Sequence, residues 1–219
     1  SNIGTAYGVD ASNHSSNTVD MTGNLSASST TYGEAYAVRS NDNSTNIVTG
    51  TKDIEVATAQ GTVYGIDAEK DSSNTVDMTG NLSASSTTST TYGDAYAVRS
   101  NDNSKNTVTG TKDIEVATAK GNAYGIDAVK DSTNNVNKGV TTGLGSLTVS
   151  TAGDNNLGGQ AYGINADANG GTGTTANYVG GLTTVSVTAF DAEARGINAT
   201  GGDSTAHNSV NEVNMTGAL

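Results

Sequence analysis

The stretch Gly61–Thr88, GTVYGIDAEKDSSNTVDMTGNLSASSTT, holds the pattern on which the fold turns. It contains three short runs in which apolar and polar residues alternate: Gly61–Ala68, Asn74–Met78 and a third beginning at Leu82. Alternation with a period of two marks a strand with one buried face. In the first run, one parity holds Tyr64, Ile66 and Ala68, and the other holds Val63, Gly65 and Asp67. Because tyrosine shares parity with isoleucine, the tyrosines are expected to line a sheet interior or its corner. An exposed aromatic strip facing glycans is the alternative. In the second run the expected inward set is Asn74, Val76 and Met78. In the related run Ile54–Thr58 it is Ile54, Val56 and Thr58, with Glu55 outside. Nowhere does a period of 3.6 persist for three turns. Gly, Ser, Thr and Asn also disfavour helix interiors.

Working outward, the stretch recurs. Ser16–Tyr32 reads SNTVDMTGNLSASSTTY, and Ser73–Thr88 repeats its first sixteen residues. AYAVRSNDNS occurs at Ala35–Ser44 and Ala95–Ser104, and VTGTKDIEVATA at Val48–Ala59 and Val108–Ala119. The period of 57 to 60 residues divides in two. One marker is a tyrosine in a G-x-[AV]-Y-[GA]-[IV] setting: Tyr7, Tyr36, Tyr64, Tyr96, Tyr124 and Tyr162, with Arg195 in the seventh place. A second is Asn-x-Val: Asn17, Asn46, Asn74, Asn106, Asn134, Asn177 and Asn208. A third is an apolar strand start: Leu25, Ile54, Leu82, Ile114, Leu147 and Val185.

Three strands in about 28 residues cannot bury a face alone, but stacked units can. The expected fold is all-β: a right-handed parallel β-helix, a three-sided β-solenoid of about seven coils filling residues 1–219 as one domain. Strands are expected near 5–10, 17–21 and 24–29 and at the equivalent positions of later coils, all paired in parallel. With strands about 4.8 Å apart, seven coils make a rod of roughly 30–35 Å. Asn17 and its equivalents are expected to form a side-chain amide ladder. Three residues after each tyrosine stand Asp10, Arg39, Asp67, Arg99, Asp127, Asn165 and Asn198. Six after it stand Asn13, Asp42, Lys70, Asp102 and Lys130. Stacking would turn both series into charge ladders, with each arginine serving carboxylates in both neighbouring coils.

Composition narrows the function. The chain has 219 residues, 33% hydrophobic, with no Cys and a net charge of -12. No disulfide framework or thiolate metal site is available. The acidic balance disfavours nucleic acid and anionic membrane as partners. No apolar run approaches the roughly 20 residues of a membrane span, and no leader is read at the N-terminus. The expectation is an excised piece of a longer surface protein. Neither end reads as a polar cap, so end-to-end contacts between copies, or fraying, are expected.

Candidate sites have bland readings. The loops NDNS at Asn41–Ser44 and Asn101–Ser104, with Asp71 and Asp131, each offer one or two carboxylates, whereas calcium takes six to eight oxygens. They read as solvated turns. His14 and His207 fall at opposite ends of the rod. The largest insertions, Lys138–Ser146 and Asp167–Thr175, are rich in Gly and Thr and lack the paired acids of glycoside chemistry. The sequence nominates no catalytic, cofactor-binding or metal-ligating residue, and the expectation is a non-enzyme.

The tandem units AYGIDA, NTVTG and IEVATA resemble passenger-domain repeats of bacterial type V autotransporters and related haemagglutinin-like adhesins. The resemblance covers nearly the whole chain and is looser for one family than for a solenoid. It implies export through the cell envelope, anchoring by a membrane β-barrel outside this sequence, and a stalk that displays binding surfaces. The implied partner is a host or bacterial surface glycan or protein. It carries over no catalytic residue. A polysaccharide-binding or -degrading β-helix of a phage fibre or secreted enzyme is the second reading. A flat Thr-rich ice-binding face is a distant third, because regular T-x-T ranks are missing.

Overall fold

A computed structural model describes residues 4–87, 93–139, 145–152, 159–190, 192–201 and 208–216. The strands fall into three sheets of seven, seven and six, and every pair is parallel. The first sheet holds Ala6–Ser12, Ala35–Asn41, Val63–Glu69, Ala95–Asn101, Ala123–Val129, Ala161–Asp167 and Ala194–Thr200. The second holds Ser16–Asp20, Thr45–Thr51, Ser73–Met78, Lys105–Thr109, Thr133–Val136, Thr174–Leu182 and Asn208–Met215. The third holds Leu25–Tyr32, Ile54–Gln60, Leu82–Ser86, Ile114–Thr118, Ser146–Thr151 and Thr184–Ala189. Each coil visits the three sheets in turn, so the chain is a three-sided parallel β-helix. Its described residues make six complete coils and a seventh of two strands.

Like stacks on like. Val38, Ile66, Val98, Ile126 and Ile164 run down the inside of the first sheet. Val48, Val76, Val108, Val136 and Val179 do so in the second, and Leu25, Ile54, Leu82, Ile114 and Leu147 in the third. All are buried in one continuous core. Branched side chains suit this pleated, half-buried surface, and each added coil removes more apolar area from water.

The inward sets of the second and third sheets are as the alternation predicts: Asn74, Val76 and Met78 are buried, as are Ile54, Val56 and Thr58, with Glu55 exposed. The first sheet differs. Val63 and Ile66 are both in the core, and a Cβ on Gly65 would lie 2.9 Å from Leu82 Cδ1. Alternation therefore breaks between Gly65 and Ile66. The pairing skips that position, passing from Tyr36–Tyr64 to Val38–Ile66. The break turns Tyr64 and Asp67 to the outer face, so the expected tyrosine parity is overturned. The small residue there is required: the same Cβ would stand 2.4 Å from the Ala97 carbonyl oxygen.

A second correction concerns the last asparagine. Asn177 pairs with Asn211, while Asn208 pairs with Thr174. Asn208-Ser-Val and Asn211-Glu-Val both satisfy the motif. Spacing alone did not separate them, because they stand 13 and 16 residues after Arg195 and neither matches the ten of the first five coils.

Candidate functional site: the stacked side-chain ladders

Three corners join the sheets, and each is held by side chains that repeat from coil to coil. Between the first and second sheets, two consecutive residues adopt the left-handed conformation: Asn13 and His14, Asp42 and Asn43, Lys70 and Asp71, Asp102 and Asn103, Lys130 and Asp131. Asn and Asp tolerate this region better than most residues. The expected second charge series lies here, at the first residue of each turn. The turns stack through backbone bonds such as His14 N–H to Asp42 O, 2.9 Å, and Asn43 N–H to Lys70 O, 2.9 Å.

Next to each turn lies a serine ladder. The backbone N–H groups of Ser15, Ser44, Ser72 and Ser104 donate to the hydroxyls of Ser44, Ser72, Ser104 and Ser132, at 3.0–3.2 Å. Those hydroxyls donate in turn to the carbonyl two residues back. Its periodic signal in the sequence is a serine two residues before each marker asparagine in the first five coils.

The asparagine ladder follows. Asn17, Asn46, Asn74, Asn106, Asn134 and Asn177 each donate to Oδ1 of the next asparagine in the stack at 2.9–3.1 Å. The second amide hydrogen goes to a carbonyl of the same coil. Asn74 bonds Asp67 O and Asn134 bonds Asp127 O, both at 2.6 Å. Both donors and the acceptor of an interior rung are thereby used, which satisfies a buried polar group. The other corners carry related devices. Asn81 N–H donates to Asp53 Oδ1 at 2.9 Å and Ser146 N–H to Asp113 Oδ1 at 2.7 Å. Thr58 and Ser86 hydroxyls donate to Gly33 O and Gly61 O at 3.2 and 3.0 Å.

On the outer face of the first sheet, six tyrosines form one column. Successive rings from Tyr7 to Tyr162 stack with centroids 4.6–5.3 Å apart and planes within 12°. Beside it runs the column Asp10, Arg39, Asp67, Arg99, Asp127, Asn165 and Asn198, in the expected order. Its contacts are one-sided. Arg39 meets Asp10 at 3.5 Å, and Arg99 meets Asp67 at 3.2 Å and Glu69 at 2.8 Å. Asp127 is served by Asn165 Nδ2 at 2.8 Å. The expectation that each arginine serves both neighbours holds for charge alone: Arg39 also acts on Asp67 and Arg99 on Asp127 at longer range, while the close contacts fall on one side because the guanidinium leans back beside the rings. Arg39 Cζ lies 5.6 and 5.0 Å from the centroids of Tyr7 and Tyr36, and Arg99 Cζ lies 5.4 Å from Tyr64 and Tyr96.

Under this cover Asp67 is 1% exposed, and its Oδ2 has no hydrogen-bond partner. Burial pushes its carboxyl up to about 7, against the pull of Arg99 and with a further push from Glu69. Burial also raises Asp127 to about 6, opposed by the Asn165 amide and Arg99. An unfolded aspartate titrates near 3.9, so the folded chain binds these protons more tightly. Their contribution to stability is therefore greatest below about pH 4 and is lost as pH rises toward 7. Asp67→Asn is expected to remove much of this slope. The variant should unfold at higher urea than the parent at pH 8, by about 1–2 kcal/mol, and nearly with it at pH 4. Urea midpoints across that range check this. Asn165 and Asn198, in the same column, show that an amide fits.

The remaining candidates separate. His14 is exposed in the first turn, while His207 lies outside the described residues. The NDNS segments are turn and serine-ladder residues. Asp71 Oδ1 accepts from Asn103 Nδ2 at 2.6 Å. The Asp131 carboxylate accepts from Thr172 N–H, Gly173 N–H and the Thr172 hydroxyl at 2.6–3.2 Å, which ties the Asp167–Thr175 insertion to the coil below. Residues 140–144 of the other insertion are outside the described set; Lys138 Nζ at its start lies 3.7 Å from the Tyr178 ring centroid. Comparison with protein-family models, with curated proteins and with solved structures found no match to the chain.

Proposed function

We propose that this chain is a rigid stalk segment of a bacterial surface adhesin, exported and displayed outside the cell and anchored through another part of its parent. The observation that carries the reading is the unbroken continuity of the side-chain columns, above all the asparagine ladder from Asn17 to Asn211. Each coil repeats the bonds of the one before, so the design fixes length and straightness. The outward positions of the third sheet, such as Ser26, Glu55, Ser83 and Glu115, are short or charged, as suits a solvated shaft. The resemblance of the AYGIDA, NTVTG and IEVATA units to passenger repeats of autotransporters supports the same role. The partner is then a glycan or protein of a host or neighbouring cell, held by this segment or by a domain it projects.

The test is display. The chain, fused between an export signal and an outer-membrane barrel, should reach the surface of a bacterial cell and promote attachment to epithelial cells or sister cells. Removing one two-coil repeat should shorten the projection by about 10 Å and leave the remaining coils folded. Retained reach after deletion, or cleavage of capsular polysaccharide by the purified chain, would overturn the reading. The second outcome would favour a depolymerase.

A further inference from the structure

One ring of the tyrosine column differs from the rest. Tyr36 is 6% exposed, whereas Tyr7 beside it is 45% exposed and Tyr64, Tyr96, Tyr124 and Tyr162 are half-buried. Among the described residues it is also the one column tyrosine whose hydroxyl donates to a carboxylate, Glu34 Oε2 at 3.0 Å. The Tyr162 hydroxyl meets only the amide oxygen of Gln160, at 3.0 Å. Tyr36 stacks on Tyr7 at 5.3 Å and on Tyr64 at 4.6 Å, with planes within 12°. Arg39 Cζ stands 5.0 Å from its centroid. Burial above all, then Tyr64, Asp67 and Glu34, pushes its phenol well above the ordinary range, so the group is the neutral phenol.

We infer that Tyr36 is a site of reversible one-electron oxidation, with Glu34 as its proton acceptor and the stacked rings as the path by which the electron leaves. The oxidant is a one-electron acceptor strong enough to oxidise a phenol, of the class of peroxidase haem intermediates and peroxyl radicals. It takes an electron from an exposed ring such as Tyr7, whose proton goes to water. Tyr36 then refills that ring across the stack, and Tyr7 recovers a proton from water. The Arg39 guanidinium opposes a positive charge on Tyr36, so the electron leaves together with the phenol proton. That proton moves from Tyr36 Oη to Glu34 Oε2. The net products are a neutral phenoxyl radical, a carboxylic acid and the reduced oxidant. Gln160 cannot serve Tyr162 in this way, because an amide oxygen is a far weaker base than a carboxylate. Burial shields the Tyr36 radical from coupling with a second copy. A small reductant such as ascorbate returns an electron through the same rings, and the proton moves back from Glu34. The site is independent of the stalk reading, since it requires only the folded column.

Flash-generated tris(bipyridine)ruthenium(III) is the oxidant for the test, and electron paramagnetic resonance is the readout. The parent should give a tyrosyl signal that outlasts the radical of free tyrosine and that ascorbate discharges. Tyr36→Phe keeps the stack and removes the phenol. It should lose the long-lived signal, and the oxidation left on exposed rings should appear as dityrosine cross-links between copies. Glu34→Gln keeps a hydrogen-bond acceptor at the hydroxyl but no base, and should lose the long-lived signal as well. Circular dichroism establishes that the variants are folded. Glu34 is exposed, so its variant carries the test if Tyr36→Phe fails to fold. A parent without a long-lived signal, a signal that ascorbate leaves in place, or an undiminished signal in either folded variant overturns the proposal.

Discussion

Asn106→Ala is expected to lower the free energy of unfolding by about 3–5 kcal/mol. Asn106 is fully buried. It donates to the Arg99 carbonyl and to Asn134 Oδ1, and it accepts from Asn74 Nδ2 at 3.0 Å. Truncation removes all three bonds and leaves three polar groups without partners. Each such group costs about 1–3 kcal/mol when water cannot reach it, and that places the change among the more severe single substitutions. Asn17→Ala, at a half-exposed rung, is the internal comparison and should cost about 1 kcal/mol, because solvent can replace the lost partners. Urea unfolding of both variants, followed by circular dichroism, checks the ratio. Equal losses would mean that the ladder does not bury its interior rungs.

Arg99→Asp is expected to cost about 3 kcal/mol at pH 8. Arg99 is the ion-pair partner of Asp67, whose side chain is 1% exposed. Removing one member of a buried pair is strongly destabilising, because the other charge stays buried. The substitution also puts a carboxylate between Asp67 and Asp127, one strand away on each side, where like charges oppose, and takes the guanidinium off the Tyr64 and Tyr96 rings. Much of the loss should disappear near pH 5, where protonation relieves the acids. Salt should recover little, since screening acts weakly on buried charges. A loss that is equal at both pH values would show that packing against the rings, and not charge, sets the role of Arg99.

The fold was legible because the three markers recur in fixed order at nearly constant spacing. Registers such as Tyr64 on Tyr96, Asn74 on Asn106 and Leu82 on Ile114 follow from that alone. What repetition does not encode is which way a residue points where a strand bends. Parity in GTVYGIDA gave tyrosine to the interior, and the break after Gly65 gave it to the outer face. A glycine at that position is compatible with unbroken alternation, so the sequence held no local sign of the bend. The charge ladder was read in the right order, yet its geometry was not. Arginine is long enough to lean over a ring, and the choice between two neighbouring carboxylates depends on where the tyrosines stand. Insertions set the last limit. Asn208 and Asn211 both begin Asn-x-Val, and only the register of the last strand of the second sheet distinguishes them.

The central claim is that residues far apart in sequence stack one strand apart, coil upon coil. Nitroxide pairs on the outer face of the second sheet test it directly by pulsed electron-spin distance measurement. Thr18, Ile47, Thr75, Thr107 and Asn135 form one column, which ends at Glu212. Labels at Thr18 and Asn135 are separated by four strand steps, so a narrow distribution near 19 Å is expected, and labels at Thr18 and Glu212, six steps apart, should give about 29 Å. Distances that are broad, or that do not grow with the number of intervening coils, would contradict the β-helix and every ladder built on it.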